Sequence, residues 1–269
     1  MTTLTLRSEP EAPLEAGAIV PDRFDGLGRN AIARLEVSCG NAAARLGDFF
    51  DVRPDGRAGI TLEGDLGRVK NIAAGMTRGK VTIRGDAGMH LGAGMRGGEI
   101  DVHGSAGDWA GAEMAGGTIH IRGNAGHALG GAYRGSRHGM NRGLILVEGD
   151  AGNETGAFMR RGLIAVAGGA GDFTGAFAVA GTILVFGSLG ARTGAGLLRG
   201  TVVAMRPLEL LPTFRYACRY RPAFLGLVLA EIQAHGMAVA QEYARGAYLR
   251  YNGDLNRLGK GEILVYDQR

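Results

Sequence analysis

A seven-residue phrase, Gly-x-[Ile/Val]-x-[Ile/Val]-x-Gly, returns repeatedly through the centre of this chain. It stands at residues 79–85, 98–104 and 117–123, and looser copies stand at 143–149, 162–168 and 181–187. Measured on the closing glycine, Gly85 to Gly104 and Gly104 to Gly123 are 19 residues each, as are Gly149 to Gly168 and Gly168 to Gly187. An earlier copy closes at Gly64, 21 residues before Gly85, and Thr201-Val202-Val203-Ala204 begins a last one. A single unit cannot bury its apolar side alone, so a fixed period of about 20 residues constrains the chain to a stack of short coils.

The second half of each period is patterned too: Gly85-Asp86-Ala87-Gly88 matches Gly104-Ser105-Ala106-Gly107 and Gly168-Gly169-Ala170-Gly171. Each period therefore reads as two or three short strands separated by glycine corners, where glycine accepts positive φ and lets backbones approach closely. Glycine takes 49 of 269 positions, against roughly 7% in ordinary proteins. Period-2 alternation sets Val81, Ile83, Ile100, Val102, Ile119 and Ile121 on one face. Stacked in register at about 4.8 Å per coil, these side chains form a dry column. The expected fold is all-β, a right-handed parallel β-helix of coils of about 19 residues with a short helical C-terminal segment. A propeller needs blades of roughly 40 residues or more. A calcium-binding nonapeptide roll needs its Asp kept, whereas Asp65, Asp86 and Asp150 become Ser105, Asn124, Gly169 or Ser188 in other copies.

The outward positions change along the stack. They are polar early (Lys80, Thr82, Arg84; Glu99, Asp101, His103; Thr118, His120, Arg122) and turn apolar late (Leu144, Leu146; Leu163, Ala165, Ala167; Thr182, Leu184, Phe186). An exposed apolar strip of that length is unusual, so either the chain's own C-terminal segment or a partner subunit is expected to cover copies five to eight. Three segments follow: an N-terminal cap with a degenerate coil at 1–58, the repeat at 59–206 and an extension at 207–269. In the first, Leu4-Thr5-Leu6 and residues 33–37 read as strands, and residues 41–50 resemble a degenerate coil. In the last, residues 222–236 carry Leu225, Val228, Leu229 and Ile232 at helical spacing between Pro222 and Gly236, and residues 261–265 read as a strand.

Net charge is +4 without a polybasic run and aromatics are 6%, so neither nucleic-acid binding nor base stacking is expected. No run of 18 apolar residues predicts a membrane span, and no basic-then-apolar leader opens the sequence, so a soluble cytoplasmic protein is expected. Cys39 and Cys218 make no disulfide framework and no C-x-x-C pair. None of the six histidines is spaced as a metal ligand, and they read as solvated or locally hydrogen-bonded. There is no nucleophile elbow, P-loop or zinc-protease motif, and Gly92-Ala93-Gly94-Met95-Arg96-Gly97 belongs to the repeat. No catalytic residue and no metal site is predicted. The carboxylates Glu99, Asp101 and Glu148 are dispersed among basic or apolar neighbours, which argues against an independent polysaccharide-acting or acyltransferase β-helix enzyme. The period breaks once: Gly123 to Gly149 is 26 residues, and the excess lies in 133–142. Arg134, Arg137, His138 and Arg142 in that loop are candidates for anion or partner contact; the alternative is a solvated insertion.

Several segments together carry a resemblance: Leu46-Gly47-Asp48-Phe49-Phe50, the stacked repeat, Gly130-Gly131-Ala132-Tyr133-Arg134-Gly135-Ser136, Gly171-Asp172-Phe173-Thr174-Gly175 and Leu211-Pro212-Thr213-Phe214. Over almost its whole length the chain resembles the C-subunit family of formylmethanofuran dehydrogenases, and within it the C-subunit of bacterial formyltransferase/hydrolase complexes. The repeat also resembles the C-terminal domain of glutamate synthase large subunits, where its role is structural. The resemblance implies a non-catalytic scaffold in a hetero-oligomer with three other subunits, serving one-carbon metabolism in methylotrophs. That complex moves a formyl group from formyl-tetrahydromethanopterin to a methanofuran-type carrier and releases formate. The carrier belongs to the complex, and no cofactor is assigned to this chain. The C-subunit of a molybdenum or tungsten formylmethanofuran dehydrogenase is the alternative the resemblance leaves open.

Overall fold

Each glycine-bounded phrase forms one short strand, and the strands stack in parallel. The structure, a computed structural model, describes residues 1–55 and 59–268; the expected boundary at 58 lies outside the described residues. In chain order the strands are β1 (Thr2–Leu6), β2 (Leu14–Glu15), β3 (Glu36–Cys39), β4 (Ala42–Arg45), β5 (Phe50–Pro54), β6 (Ile60–Glu63), β7 (Val69–Lys70), β8 (Lys80–Arg84) and β9 (Glu99–Val102). They continue as β10 (Ala115–Ile121), β11 (Arg142–Val147), β12 (Leu163–Val166), β13 (Thr182–Val185), β14 (Thr201–Ala204), β15 (Arg215–Tyr220), β16 (Tyr248–Gly253) and β17 (Gly261–Tyr266). The helices are α1 (Pro21–Phe24), α2 (Arg29–Ala33), α3 (Leu46–Phe49), α4 (Ala223–Ala234) and α5 (Gln241–Arg245).

The large sheet runs β15-β16-β17-β14-β13-β12-β11-β10-β9-β8-β6-β1-β5. Every pairing from β1 through β17 inside it is parallel, and β5, β15 and β16 attach antiparallel at its two ends. Register follows the period: Ile100 lies beside Val81 and Ile119, and Ile145 beside Ile119 and Ile164. Two columns result, Ile60 through Ile263 and Leu62 through Val265, and both are buried along their length. A second parallel contact per period joins Leu66, Ala87, Ala106, Ala125, Ala151, Ala170 and Leu189 through single bridges. The period thus holds one strand and one bridge, fewer regular pieces than the two or three strands expected, because the remaining residues form tight corners.

Those corners need an unusual backbone. Residues at alternate places take positive φ, for example His90, Gly92 and Gly94 in one period and Trp109, Gly111 and Glu113 in the next. The alternation turns successive N–H groups toward opposite neighbours. His90 N–H donates to Asp108 O of the following period, Gly92 N–H to Ile72 O of the preceding one, and Gly94 N–H to Ala112 O of the following one. Eleven described non-glycine residues adopt this conformation, at about 1–2 kcal/mol each, offset by the hydrogen bonds that the geometry closes. Glycine is required instead where backbones nearly touch. A Cβ on Gly117 would sit 2.7 Å from Gly98 O and 2.6 Å from the Met95 methyl. That methyl belongs to a fully buried methionine column, Met76, Met95, Met114, Met140 and Met159, whose flexible side chains fill the space beside the glycines.

The tail supplies the cover that the apolar strip requires. Leu144, Leu146, Ala165, Leu184 and Val203 on the outer face form a second core with Leu225, Leu229 and Ile232 of α4. Twelve helical residues span about 18 Å, close to the ~19 Å of four strand spacings, so one helix suffices for β10 to β14. α4 ends as its sequence suggests: Gly236, at φ +93°, lets Met237 N–H reach back to Ile232 O at 3.3 Å. β17 then adds a further parallel strand onto β14, and Leu208, Leu210 and Leu211 pack on the core beside it.

At the other end β1 stacks parallel on β6 and closes the ladder. Residues 41–50 depart from the expected degenerate coil. β4 pairs antiparallel with β3, α3 follows, and β5 runs back antiparallel along β1. Residues 33–37 begin as the end of α2 and become strand only from Glu36.

Candidate functional site

The insertion leaves and rejoins a corner without breaking the ladder. Met140 N–H donates to Gly130 O at 2.8 Å and Gly139 N–H to Phe158 O at 3.0 Å, so the stack re-forms directly after the extra residues. Its root is Tyr133, half-buried, whose ring stacks on Trp109 with centroids 6.3 Å apart. The Tyr133 hydroxyl meets His90 Nδ1 at 3.0 Å, and its backbone N–H donates to Glu113 Oε1 at 3.4 Å. Burial lowers the His90 pKa and raises that of Tyr133. Both shifts favour neutral groups, an imidazole and a phenol sharing one hydrogen bond.

Beyond this root the loop turns outward. Ser136 N–H closes a turn on Tyr133 O, and Ser136 Oγ accepts from His138 N–H at 3.2 Å. Arg134, Arg137 and His138 are exposed on the loop, and Arg142, also exposed, opens β11. Among the described residues no carboxylate lies within 4.0 Å of any of the three guanidinium groups. Two further arginines join them that sequence reasoning missed. Met159-Arg160-Arg161-Gly162 occupies the same place in its period as Met140-Asn141-Arg142-Gly143, and Leu144 pairs with Leu163. Arg142 and Arg161 therefore hold equivalent positions on adjacent strands. Arg160 is half-buried and its Nε has no hydrogen-bond partner among the described residues. The repeat register alone could have found this pair. Gly143 and Gly162, the next residues, line a groove of about 430 Å³ together with Leu144, Leu163, Glu231 and His235.

The dispersed carboxylates are all engaged. Lys80 Nζ lies 2.7 Å from Glu99, Arg122 bridges Asp101 at 3.3 Å and Glu148 at 3.1 Å, and His120 Nε2 meets Glu148 at 2.8 Å. His120 is buried on the outer face, and its ring reaches Gly236 just past α4. It marks the seam where the outer column turns from polar Asp101 to apolar Leu146. His103 sits one pair further along, 3.6 Å from Asp101, and shares no column with His120. Among the described residues no three His, Cys, Asp or Glu side chains converge as a metal site, and no helix is long and apolar enough to cross a membrane.

Side chains do converge in two ladders that bind the periods together. Asp86 Oδ1 accepts from Ser105 N–H, Ser105 Oγ from Asn124 N–H, Asn124 Oδ1 from Asp150 N–H and Asp150 Oδ1 from Gly169 N–H. A parallel series runs Asp108, His127, Asn153, Asp172, each accepting the N–H of the residue one period on, at 2.7–2.9 Å. The Asp after the glycine is thus an acceptor to the neighbouring backbone, a task that Ser and Asn perform equally.

No family model matches the chain. It is 43% identical over 91 residues to the C-subunit of molybdenum-containing formylmethanofuran dehydrogenase 1 from Methanothermobacter thermautotrophicus, covering 33% of this chain and 23% of that protein. Over 94 residues it is 38% identical to the C-subunit of the tungsten-containing dehydrogenase 2 from the same organism, covering 33% and 35%. The matched part is therefore about a third or less of each curated relative. Among solved structures, it matches a chain of the formyltransferase/hydrolase complex (FhcABCD) from Methylorubrum extorquens, crystallised with methylofuran. That match has a TM-score of 0.93 and 36% identity over 99% of this chain and 100% of that one. With that identity across the full length of both chains, the protein belongs to the C-subunit family of formylmethanofuran dehydrogenases.

Proposed function

We propose that this chain is the non-catalytic scaffold subunit of a formyltransferase/hydrolase complex in one-carbon metabolism. Such a complex takes the formyl group of formyl-tetrahydromethanopterin to formate through a methanofuran-type carrier. The observation that carries this reading is the end-to-end match to a chain of the methylofuran-bound complex. The ion-paired carboxylates of the outer face support it, because none is left free to act as general acid or base. The chain works in a cytoplasmic hetero-oligomer with the other three subunits, which hold the carrier and do the chemistry. Its periods wind as a right-handed parallel β-helix over 59–206, capped by 1–58 and extended by 207–269. Parallel register at a 19-residue step supports that path.

Arg134, Arg137, His138 and Arg142 form an anion- or partner-binding loop in this reading, with Arg161 in equivalent register beside Arg142. Their lack of carboxylate neighbours supports an external anion as counter-charge. Purifying the native chain and weighing its companions tests the function: three further subunits are expected. The isolated chain is expected to show no formyl transfer or formate release; activity of the isolated chain would falsify the scaffold reading. Replacing Arg134, Arg137 and Arg142 with alanine is expected to weaken assembly or anion binding, and unchanged complex yield and affinity refute the loop's role.

A second reading, the C-subunit of a molybdenum or tungsten formylmethanofuran dehydrogenase, draws on the 38–43% identity to those proteins. Molybdenum or tungsten in the purified complex at stoichiometric amounts decides for it; a metal-poor complex with transferase and hydrolase activity decides for the first.

A further inference from the structure

Six residues of 59–206 are Trp, Tyr or Phe, and five of them stand in the corner half of the period, in two rows four residues apart in sequence that Tyr133 flanks from the insertion. Trp109 and Phe173 each follow their bridge alanine, Ala106 or Ala170, by three residues. Phe158 and Phe177 follow Ala151 and Ala170 by seven, and Tyr133 joins from the insertion. Only Phe186 lies elsewhere, on the face that α4 covers. Trp109, Phe158, Phe173 and Phe177 all have positive φ, at +56° to +60°. Glycine or asparagine would suit those places far better.

The row is continued by the loop after β16. Asp254 accepts from Gly196 N–H at 3.0 Å, which fixes that loop to the last corner, and Arg257 lies over the Phe177 ring at 5.6 Å. Leu255 and Leu258 there are 52% and 51% exposed, and Phe177 is 39% exposed. From Trp109 to this loop the row crosses five steps, about 24 Å. Aromatic residues with arginine between them are the composition of protein–protein interface centres.

We propose that this aromatic corner is where another protein subunit docks, through an apolar surface fringed by carboxylates. The proposal rests on the scaffold reading above and adds the face on which the scaffold is gripped. Charge complementarity selects the fringe. Arg134 and Arg137 beside Tyr133, and Arg192 over Phe173 at 5.2 Å, have no carboxylate within 4.0 Å among the described residues. Ring geometry selects protein over sugar. Phe158 and Phe177 stack on each other at 5.0 Å and 16°, and Phe173 and Phe177 each carry a guanidinium, so the row presents ring edges and leaves few free faces for a pyranose.

Hydroxyl-radical labelling of the native assembly and of the isolated full chain tests this. Oxidation of Trp109, Phe158, Phe177 and Leu255 is expected to fall at least fivefold on assembly. An assembly in which they stay as reactive as in the free chain overturns the docking face and leaves the scaffold reading standing; a chain that assembles with nothing overturns both. Protection that grows with the concentration of the isolated chain assigns the row to a second copy and also overturns it. The double replacement Phe158→Gly with Phe177→Gly suits the left-handed backbone and removes two rings. It is expected to weaken partner binding at least tenfold with the circular dichroism unchanged, and retained affinity refutes the proposal.

Discussion

Replacing Leu229 with alanine separates the helix layer from the ladder. Leu229 is fully buried between α4 and the strip of Leu146, Ala165, Leu184 and Val203. Removing such a side chain costs about 3 kcal/mol, within the 2–5 measured for buried leucines. The loss falls on one interface, because α4 touches the stack only through its own face while β11 to β14 keep their pairing and the inner columns. In a stacked architecture each layer depends mainly on its neighbours, so the helix opens locally while the strands stay closed. At about 1.4 kcal/mol per decade, the amides of residues 226–234 are expected to exchange roughly a hundredfold faster. Those of Ile145, Ile164 and Ile183 are expected to be unchanged. Native-state hydrogen exchange read by mass spectrometry checks this, and binding of a hydrophobic dye reports the uncovered strip. If helix and strand amides accelerate together, the tail is part of one cooperative unit and the reasoning fails. If neither moves, the burial of Leu229 does not hold the helix down.

Two other outcomes follow from the same geometry. Gly117→Ala is expected to destabilise by more than about 1 kcal/mol, because the new methyl meets Gly98 O, which cannot move without breaking the ladder; a thermal midpoint within 1–2 °C of the parent contradicts the close approach. Burial raises the Tyr248 pKa far above the usual phenol range, while its hydroxyl donates to Tyr243 O at 2.8 Å. A raised folded-state pKa stabilises fully below the unfolded value of about 10 and that contribution is lost as pH rises past it. Tyrosinate absorbance at 295 nm is therefore expected to appear for Tyr248 only together with loss of the α4 layer, and reversible titration in the folded protein refutes its burial.

The strands were legible because burial imposes identity: every inner position must be aliphatic, so Ile100, Ile119, Ile145 and Ile164 repeat visibly. The uncovered strip was legible for the converse reason, since Leu146 and Leu184 on an outward face demand a cover, and the helical spacing of Leu225, Leu229 and Ile232 offers one. The acceptor ladders were not. Asp86, Ser105, Asn124 and Asp150 look unrelated, yet each needs only an oxygen one bond or two from Cβ to meet the next backbone N–H. What recurs there is a hydrogen bond and not a residue type. The left-handed corners hid in the same way, because the neighbouring strands impose the backbone and nothing forbids Trp109 or Glu113 strongly enough to exclude them. At the N-terminus, residues 41–50 carry the composition of a coil without the Gly-x-Ile-x-Val-x-Gly phrase, and local composition could not show that β1 would take the terminal place on β6. Within the candidate loop, Arg134, Arg137, His138 and Arg142 stood out through the break in period, whereas Arg160 and Arg161 kept the period and so escaped notice.

A stack of this kind has few surfaces to offer, and the chain uses them unequally. The inner columns are closed to everything, including water. The outer face of β11 to β14 is occupied by α4, and the polar face of β8 to β10 is committed to its own ion pairs through Lys80, Arg122 and His120. Both ends are capped by antiparallel strands, β5 at one and β15 with β16 at the other. The corners remain, and they tolerate change that the faces do not. Seven extra residues enter at one corner, and the hydrogen bonds resume at Met140. Bulky rings, Phe158 and Phe177, stand at two places where other periods carry Gly94 or Gly196, without altering the path. A scaffold evolving new contacts on this framework is thereby directed to its corners, where a side chain can be exchanged at the cost of modest backbone strain and the ladder behind it is untouched. The arginine loop and the aromatic row share that corner through Tyr133, which stacks on Trp109 and carries Arg134 as its next residue, so loss of the Tyr133 ring would disturb both at once.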